Sequence, residues 1–131
     1  MQPIQLFALA SRQAEWLSVR QEVVATNIAN ANTPQFRAKD ITPFDSALKE
    51  AEGGTIHMAR THPGHLPESS FSQNIAVRES ELNNEIGLQE SGNTVALADE
   101  LTKTGEIKRQ YELSTGLVKS FHSMMLMTVR R

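Results

Sequence analysis

Residues 4–31 read IQLFALASRQAEWLSVRQEVVATNIANA, and their spacing decides the fold class. Apolar doublets recur every seven residues: Leu9-Ala10, Trp16-Leu17 and Val23-Val24. Leu6, Ala14 and Ile28 fill the same side, while Arg12, Gln13, Glu15, Ser18, Arg20 and Gln21 take the other faces. A seven-residue apolar repeat on a helix builds a coiled-coil seam. Pro3 suits a helix start, where a missing N–H costs nothing. Pro34 ends the helix, because the residue before a proline is pushed out of the α region. Asn30 and Asn32 help that exit.

The far end of the chain repeats the pattern. Gly92-Asn93-Thr94 is a break followed by capping residues. Beyond it, Leu97, Leu101, Thr104, Ile107, Tyr111, Val118, Phe121, Met125 and Val129 keep a mixed three/four spacing. Asp99 and Glu100 lie where acids suit a helix N-terminus. The reading is a second helix of about 35 residues, three times the usual length. Gly105 and Gly116 each weaken it by about 1 kcal/mol relative to alanine, so packing must supply its stability. The fold class expected is mainly α: long N- and C-terminal helices paired as an antiparallel coiled coil. A short irregular middle region with room for a small β-hairpin joins them.

That middle holds weaker signals. Asn32 to Phe44 reads as a linker with two prolines. Pro43 can open a short helix through Ala51, with Phe44, Ala47, Leu48 and Ala51 on one face and Gly53-Gly54 as the stop. Thr55–Arg60 alternates weakly, and Phe71–Val77 is its candidate partner strand. Thr61–Ser70, with Pro63-Gly64 and Pro67, is a loop. Residues 79–91 are polar and acidic, and are expected to be mobile.

Composition narrows function. The chain has 131 residues, no cysteine, and only one Trp, one Tyr and five Phe. This excludes a disulfide scaffold, a thiolate zinc site and a cysteine nucleophile. Few aromatics mean a thin core for the length. A net charge of −2 lacks the basic surface that nucleic-acid binding needs, so no nucleic acid is expected as partner. No apolar run reaches the roughly 18–20 residues of a membrane span. Leu6–Ala10 is too short for a signal-peptide core and has no preceding positive charge, so no cleaved signal is expected. Charge is uneven: residues 51–100 net −6 and residues 101–131 net +4, an asymmetry that serves either association or a solvated acidic surface.

Catalytic signals are poor. His57, His62 and His65 lie close together, with Glu68 nearby. They match no helical metal-binding spacing and read as exposed loop histidines. Glu79, Glu81, Glu85 and Glu90 have nothing apolar beside them to desolvate a carboxylate. No nucleophile elbow or phosphate loop occurs. Neither enzyme activity, nor a cofactor, nor a small-molecule substrate, nor a metal is expected. The C-terminal run Phe121–Val129 holds four consecutive apolar residues, Met124-Met125-Leu126-Met127. Those cover more than one helix face, and a helix apolar on several faces needs cover on several faces. Glutamate at Met125 is therefore expected to block assembly. Three asparagines, Asn27, Asn30 and Asn32, crowd the end of the first helix. They suit either a helix stop or a polar lock that sets the register of helices.

Two motifs then carry a resemblance. Asn27-x-Ala29-Asn30-x-x-Thr33-Pro34-x-Phe36 resembles the N-terminal signature of the bacterial flagellar rod and hook axial proteins. Gly92-Asn93-Thr94-Val95-x-Leu97-x-x-Glu100 is similar to the start of the C-terminal helix in proximal-rod members of that family, as is Thr61–Leu66 in the middle. Asn32 stands where the family commonly has Asp, and Gln35 where it commonly has Gly. The resemblance implies a structural subunit assembling helically into the periplasm-spanning rod, exported through the flagellar type III apparatus. It implies as partners other rod proteins, further copies of the chain, the rod–ring junction protein FliE, the membrane ring and the export gate. The expected layout is residues 1–33 as the N-terminal helix of the rod core, 34–91 as linker and middle, and 92–131 as the C-terminal helix. Assembly would then use Asn27, Ala29, Asn30, Thr33, Pro34, Phe36, Gly92, Asn93, Val95, Leu97 and Glu100. Packing contacts would fall on Trp16, Leu17, Val23, Val24 and Ile28, and on Val118, Phe121, Met124, Met125 and Val129. A free-standing helical coiled-coil adaptor is the alternative.

Overall fold

Helix α1 runs from Pro3 to Ala29 and helix α3 from Leu97 to Val129. Between them lie strand β1 (Lys39–Ile41), helix α2 (Phe44–Glu52) and strand β2 (Val77–Glu79). The structure, a computed structural model, describes residues 3–53, 61, 62, 64, 75–80 and 89–130. The expected strand at 55–60, most of the one at 71–77, and His57, His65, Glu68, Glu81 and Glu85 lie outside the described residues.

The two long helices pack together in opposite directions. Asn27, near the end of α1, bonds Glu100, near the start of α3. Phe7, near the start of α1, meets Phe121, near the end of α3, edge to face at 6.0 Å between ring centroids. The seven-residue repeat of α1 puts Leu17 and Val24 inside, and Ile107 answers them from α3. Each such buried side chain contributes about 1.5–3 kcal/mol.

The expected short helix is present as α2, and its stop is visible. The Gly53 N–H bonds the Lys49 carbonyl at 2.9 Å. Its apolar face turns inward as read: Ala47 is buried, and Phe44, Leu48 and Ala51 are partly buried. Phe44 packs edge to face on Trp16, whose indole N–H donates to the Thr42 carbonyl at 2.9 Å. So one aromatic residue anchors both the helix and the chain leading into it.

The linker reading of residues 32–44 needs correction. Within it, β1 pairs antiparallel with β2, with Lys39 opposite Glu79, Asp40 opposite Arg78 and Ile41 opposite Val77. The pairing continues outward through Thr42 N–H to the Ala76 carbonyl and Ser80 N–H to the Ala38 carbonyl. Strand β2 thus begins where the expected strand 71–77 ended, and β1 pairs with it. Three-residue strands carry too few alternations to show a period of two, so local pattern hides them.

The buried residues crowd one end. Trp16, Leu17, Val24, Asn27, Ala38, Ile41, Ala47, Ile75, Asn93, Val95, Glu100 and Ile107 lie there. Among the described residues, none before Trp16 and none after Ile107 is fully buried. The hairpin has a packed head and a thinly covered tail.

Candidate functional site

The head is built around two buried asparagines, one from each sequence motif. Asn27 sits on the inward face of α1 with no exposed surface. Its amide nitrogen donates to the Lys39 carbonyl at 2.7 Å and to Glu100 Oε2 at 3.0 Å. Its amide oxygen accepts from the Lys39 N–H at 3.0 Å. The side chain therefore acts toward β1 as a neighbouring strand would, closing the edge that β2 does not cover.

Asn93 does the same for the end of α1. Its amide nitrogen lies within donating distance of three carbonyls: Asn30 at 2.9 Å, Ala31 at 3.0 Å and Thr33 at 2.8 Å. Its oxygen accepts from the Val95 N–H at 2.7 Å. A helix end leaves carbonyls without partners, and here a side chain 60 residues away supplies them. The capping residues expected to start α3 are thus used elsewhere. Asn93 finishes α1, and the Thr94 hydroxyl accepts from the Ala38 N–H at 2.9 Å. Helix α3 starts only at Leu97, with Ala96 before it and no side-chain cap.

Two backbone contacts tie the loops directly. The Gln35 N–H bonds the Ser91 carbonyl at 2.9 Å, and the Thr94 N–H bonds the Phe36 carbonyl at 3.1 Å. Gln35 has φ of +57° and Gly92 of +77°. The positive φ favours glycine at 92, where a side chain would also crowd Gln35 Cγ at 3.3 Å. Gln35 carries the left-handed strain that glycine avoids, at the position where the resembled family commonly has glycine. Gln35→Gly is expected to raise unfolding free energy by about 0.5–1 kcal/mol, read as a higher urea midpoint with an unchanged slope. A lower midpoint would contradict that strain.

Charges extend the clasp. Glu100 is 2% exposed, and its Oε1 accepts from Lys103 Nζ at 3.0 Å. Lys103 also reaches Asp40 at 3.4 Å, and Arg20 lies 3.6 Å from the other oxygen of Asp40. The Arg20 guanidinium in turn stands over the Trp16 ring at 5.4 Å. Burial disfavours the charge on Lys103, but the hydrogen bond to Glu100 and the charges of Asp40 and Glu100 outweigh it and raise its pKa. A raised lysine stabilises the fold fully below the unfolded pKa of about 10.4, and that share is lost as pH rises through the folded value. The stability gap between the natural chain and Lys103→Met should hold constant from about pH 7 to 9 and narrow above about pH 10.4. Urea titrations across that range check it; a gap still unchanged at about pH 12 would contradict it.

The remaining residues singled out by sequence fall into three groups. Trp16, Leu17, Val24 and Val95 are buried, and Val23 and Ile28 are packed against the core. Asn30, Phe36 and Gly92 are partly buried, whereas Ala29, Thr33, Pro34 and Leu97 are exposed. In the tail, Val118, Phe121 and Met125 are partly buried, while Met124 and Val129 are exposed. The Phe7–Phe121 contact marks the α1-facing side, and Met125 follows one turn later on that side.

Sequence reading missed Asp40, Lys103 and Arg20 as a group, because they come from three separate elements. It also missed Leu113 and Leu117, 64% and 62% exposed, which extend the apolar run to Met127, 73% exposed, back along the helix. With Met124, 53% exposed, they form a stripe spaced i, i+4, i+11, i+14 on another side of α3. That stripe was open to the same heptad count that found the inward one. A shallow groove between α1 and α3, about 260 Å³, is lined by Phe7, Ala10, Ala14, Tyr111, Ser114 and Val118.

Nothing in the geometry of the described residues resembles a reaction centre. Among the described residues, no three His, Cys, Asp or Glu side chains stand close enough to hold a metal ion. His62 is exposed, with its Nδ1 accepting from the Gly64 N–H at 3.1 Å. No helix of the described residues is long and apolar enough to cross a membrane.

Comparison with known proteins agrees with the two motifs. The family model described as flagella basal body rod protein matches residues 9–37, which span most of α1 and its exit turn. The chain is 72% identical over 131 residues to the flagellar basal body rod protein FlgB of Agrobacterium fabrum, covering 100% of this chain and 97% of that one. It is 33% identical over 101 residues to the FlgB of Escherichia coli K12, covering 72% and 71% of the two chains. It is 32% identical over 114 residues to the FlgB of Aeromonas hydrophila, covering 86% and 83%. On this footing the chain belongs to the FlgB family of flagellar basal body rod proteins.

Proposed function

We propose that the chain works as a structural, non-catalytic subunit of the proximal rod of the flagellar basal body, part of the drive shaft that carries torque across the periplasm. The observation that carries this is the 72% identity to a FlgB protein along the whole chain. The structure adds a physical reason. A subunit that transmits force needs a stiff shape and surplus sticky faces, and α1 with α3 supplies both.

In this reading α1 and α3 pair as an antiparallel coiled coil within one structural domain, divided as 1–33, 34–91 and 92–131. Support comes from the inward side of α3, where Glu100, Thr104, Ile107, Ser114, Val118, Phe121 and Met125 fall on one alternating four/three repeat. The motif residues serve assembly in two ways. Asn27, Asn93, Val95 and Glu100 hold the head in one shape. Ala29, Thr33, Pro34 and Leu97 stand exposed beside it for neighbours. The partners are other rod proteins, further copies, the junction protein FliE, the membrane ring and the export gate. The chain reaches them through the flagellar type III apparatus.

Deleting the gene tests this most simply. Basal bodies without rods and a loss of motility, both restored by the intact chain, are expected. Normal rods in the deletion strain would refute the assignment.

A further inference from the structure

Positive and negative charge are sorted to opposite ends of this molecule. The tail of α3 exposes Leu113, Leu117, Met124 and Met127, each more than half accessible. Lys108, Arg109, Lys119 and Arg130 are exposed around them against Glu112, so residues 108–130 net +3. The head shows the reverse sign. Helix α2 exposes Asp45, Glu50 and Glu52 against a single Lys49. The head also has an apolar pair to offer, Leu97 and Leu101, 49% and 58% exposed one turn apart.

Helix α3 has 33 residues and is about 50 Å long at 1.5 Å per residue. Its tail therefore cannot fold back onto the head of its own chain. Two tails side by side would bring positive charge against positive charge. Tail against head brings opposite charges together and joins apolar to apolar.

We propose that the basic, apolar-striped tail of α3 docks on the acidic head of a second copy of this chain. The contact is heterologous, so a joined pair keeps one free head and one free tail, and every added copy points the same way. The apolar stripe supplies most of the affinity. The charges set polarity and the rate of encounter, and their share fades with salt. This inference rests on the reading of the chain as an assembling subunit.

Complementary charge reversal tests it with the full-length chain. One variant carries Arg109→Glu and Lys119→Glu in the tail. The other carries Glu50→Lys and Glu52→Lys in the head. All four positions are exposed, so both variants should keep the natural circular dichroism and melting curve. Sedimentation velocity at about 20 mM salt, where screening is weak, reads the association. Either reversal alone should weaken self-association about tenfold or more. An equimolar mixture of the two should recover it, because the reversed tail now meets a reversed head. Head reversal without effect would overturn the proposal, and so would a mixture no better than its parts. A natural chain that stays monomeric up to about 1 mM, the concentration matching the weakest useful affinities, would overturn it too. Wild-type rod numbers in cells that carry the head-reversed chain would defeat this contact and leave the rod assignment standing. Rods in the deletion strain would defeat the assignment itself.

Discussion

Asn27→Asp is expected to destabilise the chain by about 3–5 kcal/mol, a large share of the roughly 5–15 kcal/mol that holds a domain folded. The reason is donor count. Asn27 donates to the Lys39 carbonyl and to Glu100, and accepts from the Lys39 N–H. Aspartate keeps only the acceptor. It leaves the Lys39 carbonyl without its donor and sets a second carboxylate against buried Glu100, whose other oxygen already holds Lys103. Like charges at that distance in a buried site repel strongly. Asn27→Ala removes the donors without adding charge, and should cost about 2–3 kcal/mol. Thermal or urea unfolding followed through Trp16 reports both. Equal losses for the two variants would show that the charge on residue 27 is irrelevant. Losses below about 1 kcal/mol would show that the asparagine does not hold the head together.

The second large effect falls on assembly rather than on the chain. Leu117→Glu combined with Met124→Glu should leave the melting temperature of the isolated chain nearly unchanged, because both side chains are more than half exposed there. Rods should nevertheless fail to form, since each carboxylate would enter a contact meant to be dry. Counting rods in basal bodies from a complemented deletion strain reads the outcome. Met125→Glu is a poorer probe than sequence suggested. Met125 is partly buried on the α1-facing side, so a charge there harms the subunit itself and blurs the two effects. Normal rod yield with Leu117→Glu and Met124→Glu would rule out the exposed stripe as an assembly surface.

The helices were legible because burial imprints a period. Leu9-Ala10, Trp16-Leu17 and Val23-Val24 repeat on one side over most of 27 residues, long enough for the pattern to rise above chance. Helix α2 was legible from its punctuation, Pro43 before it and Gly53 after it. Strand β1 was not, since Lys-Asp-Ile has no periodic signal and its partner is 38 positions away. The clasp was half legible. Asn27, Asn93 and Glu100 were marked by their motifs. Their partners were not, because an asparagine in sequence does not reveal whose backbone it satisfies. Asn93 looked like the cap of the helix that follows it and proved to complete the helix that ends 64 positions before it. Asp40 lay in a segment read as linker, so its place between Arg20 and Lys103 had no local sign.

The thin aromatic content now has a location. Trp16 and Phe44 meet in the head, while Phe7 and Phe121 are the ring pair of the tail. Beyond Ile107 no described residue of α3 is fully buried, and Gly116 lies in that stretch with nothing packed against it. A helix segment of that length without packing is marginal in water. The head is therefore the part that packs by itself, and the tail is the part that the proposed assembly leaves to neighbours.

Native-state hydrogen exchange on the dilute, isolated chain examines that division directly. Amides in residues 16–28 and 100–107 should exchange only through opening of the whole head, about a hundredfold or more slower than those in residues 111–129. Uniform protection along α3 would mean that the helical hairpin is self-sufficient and needs no neighbour to complete its tail.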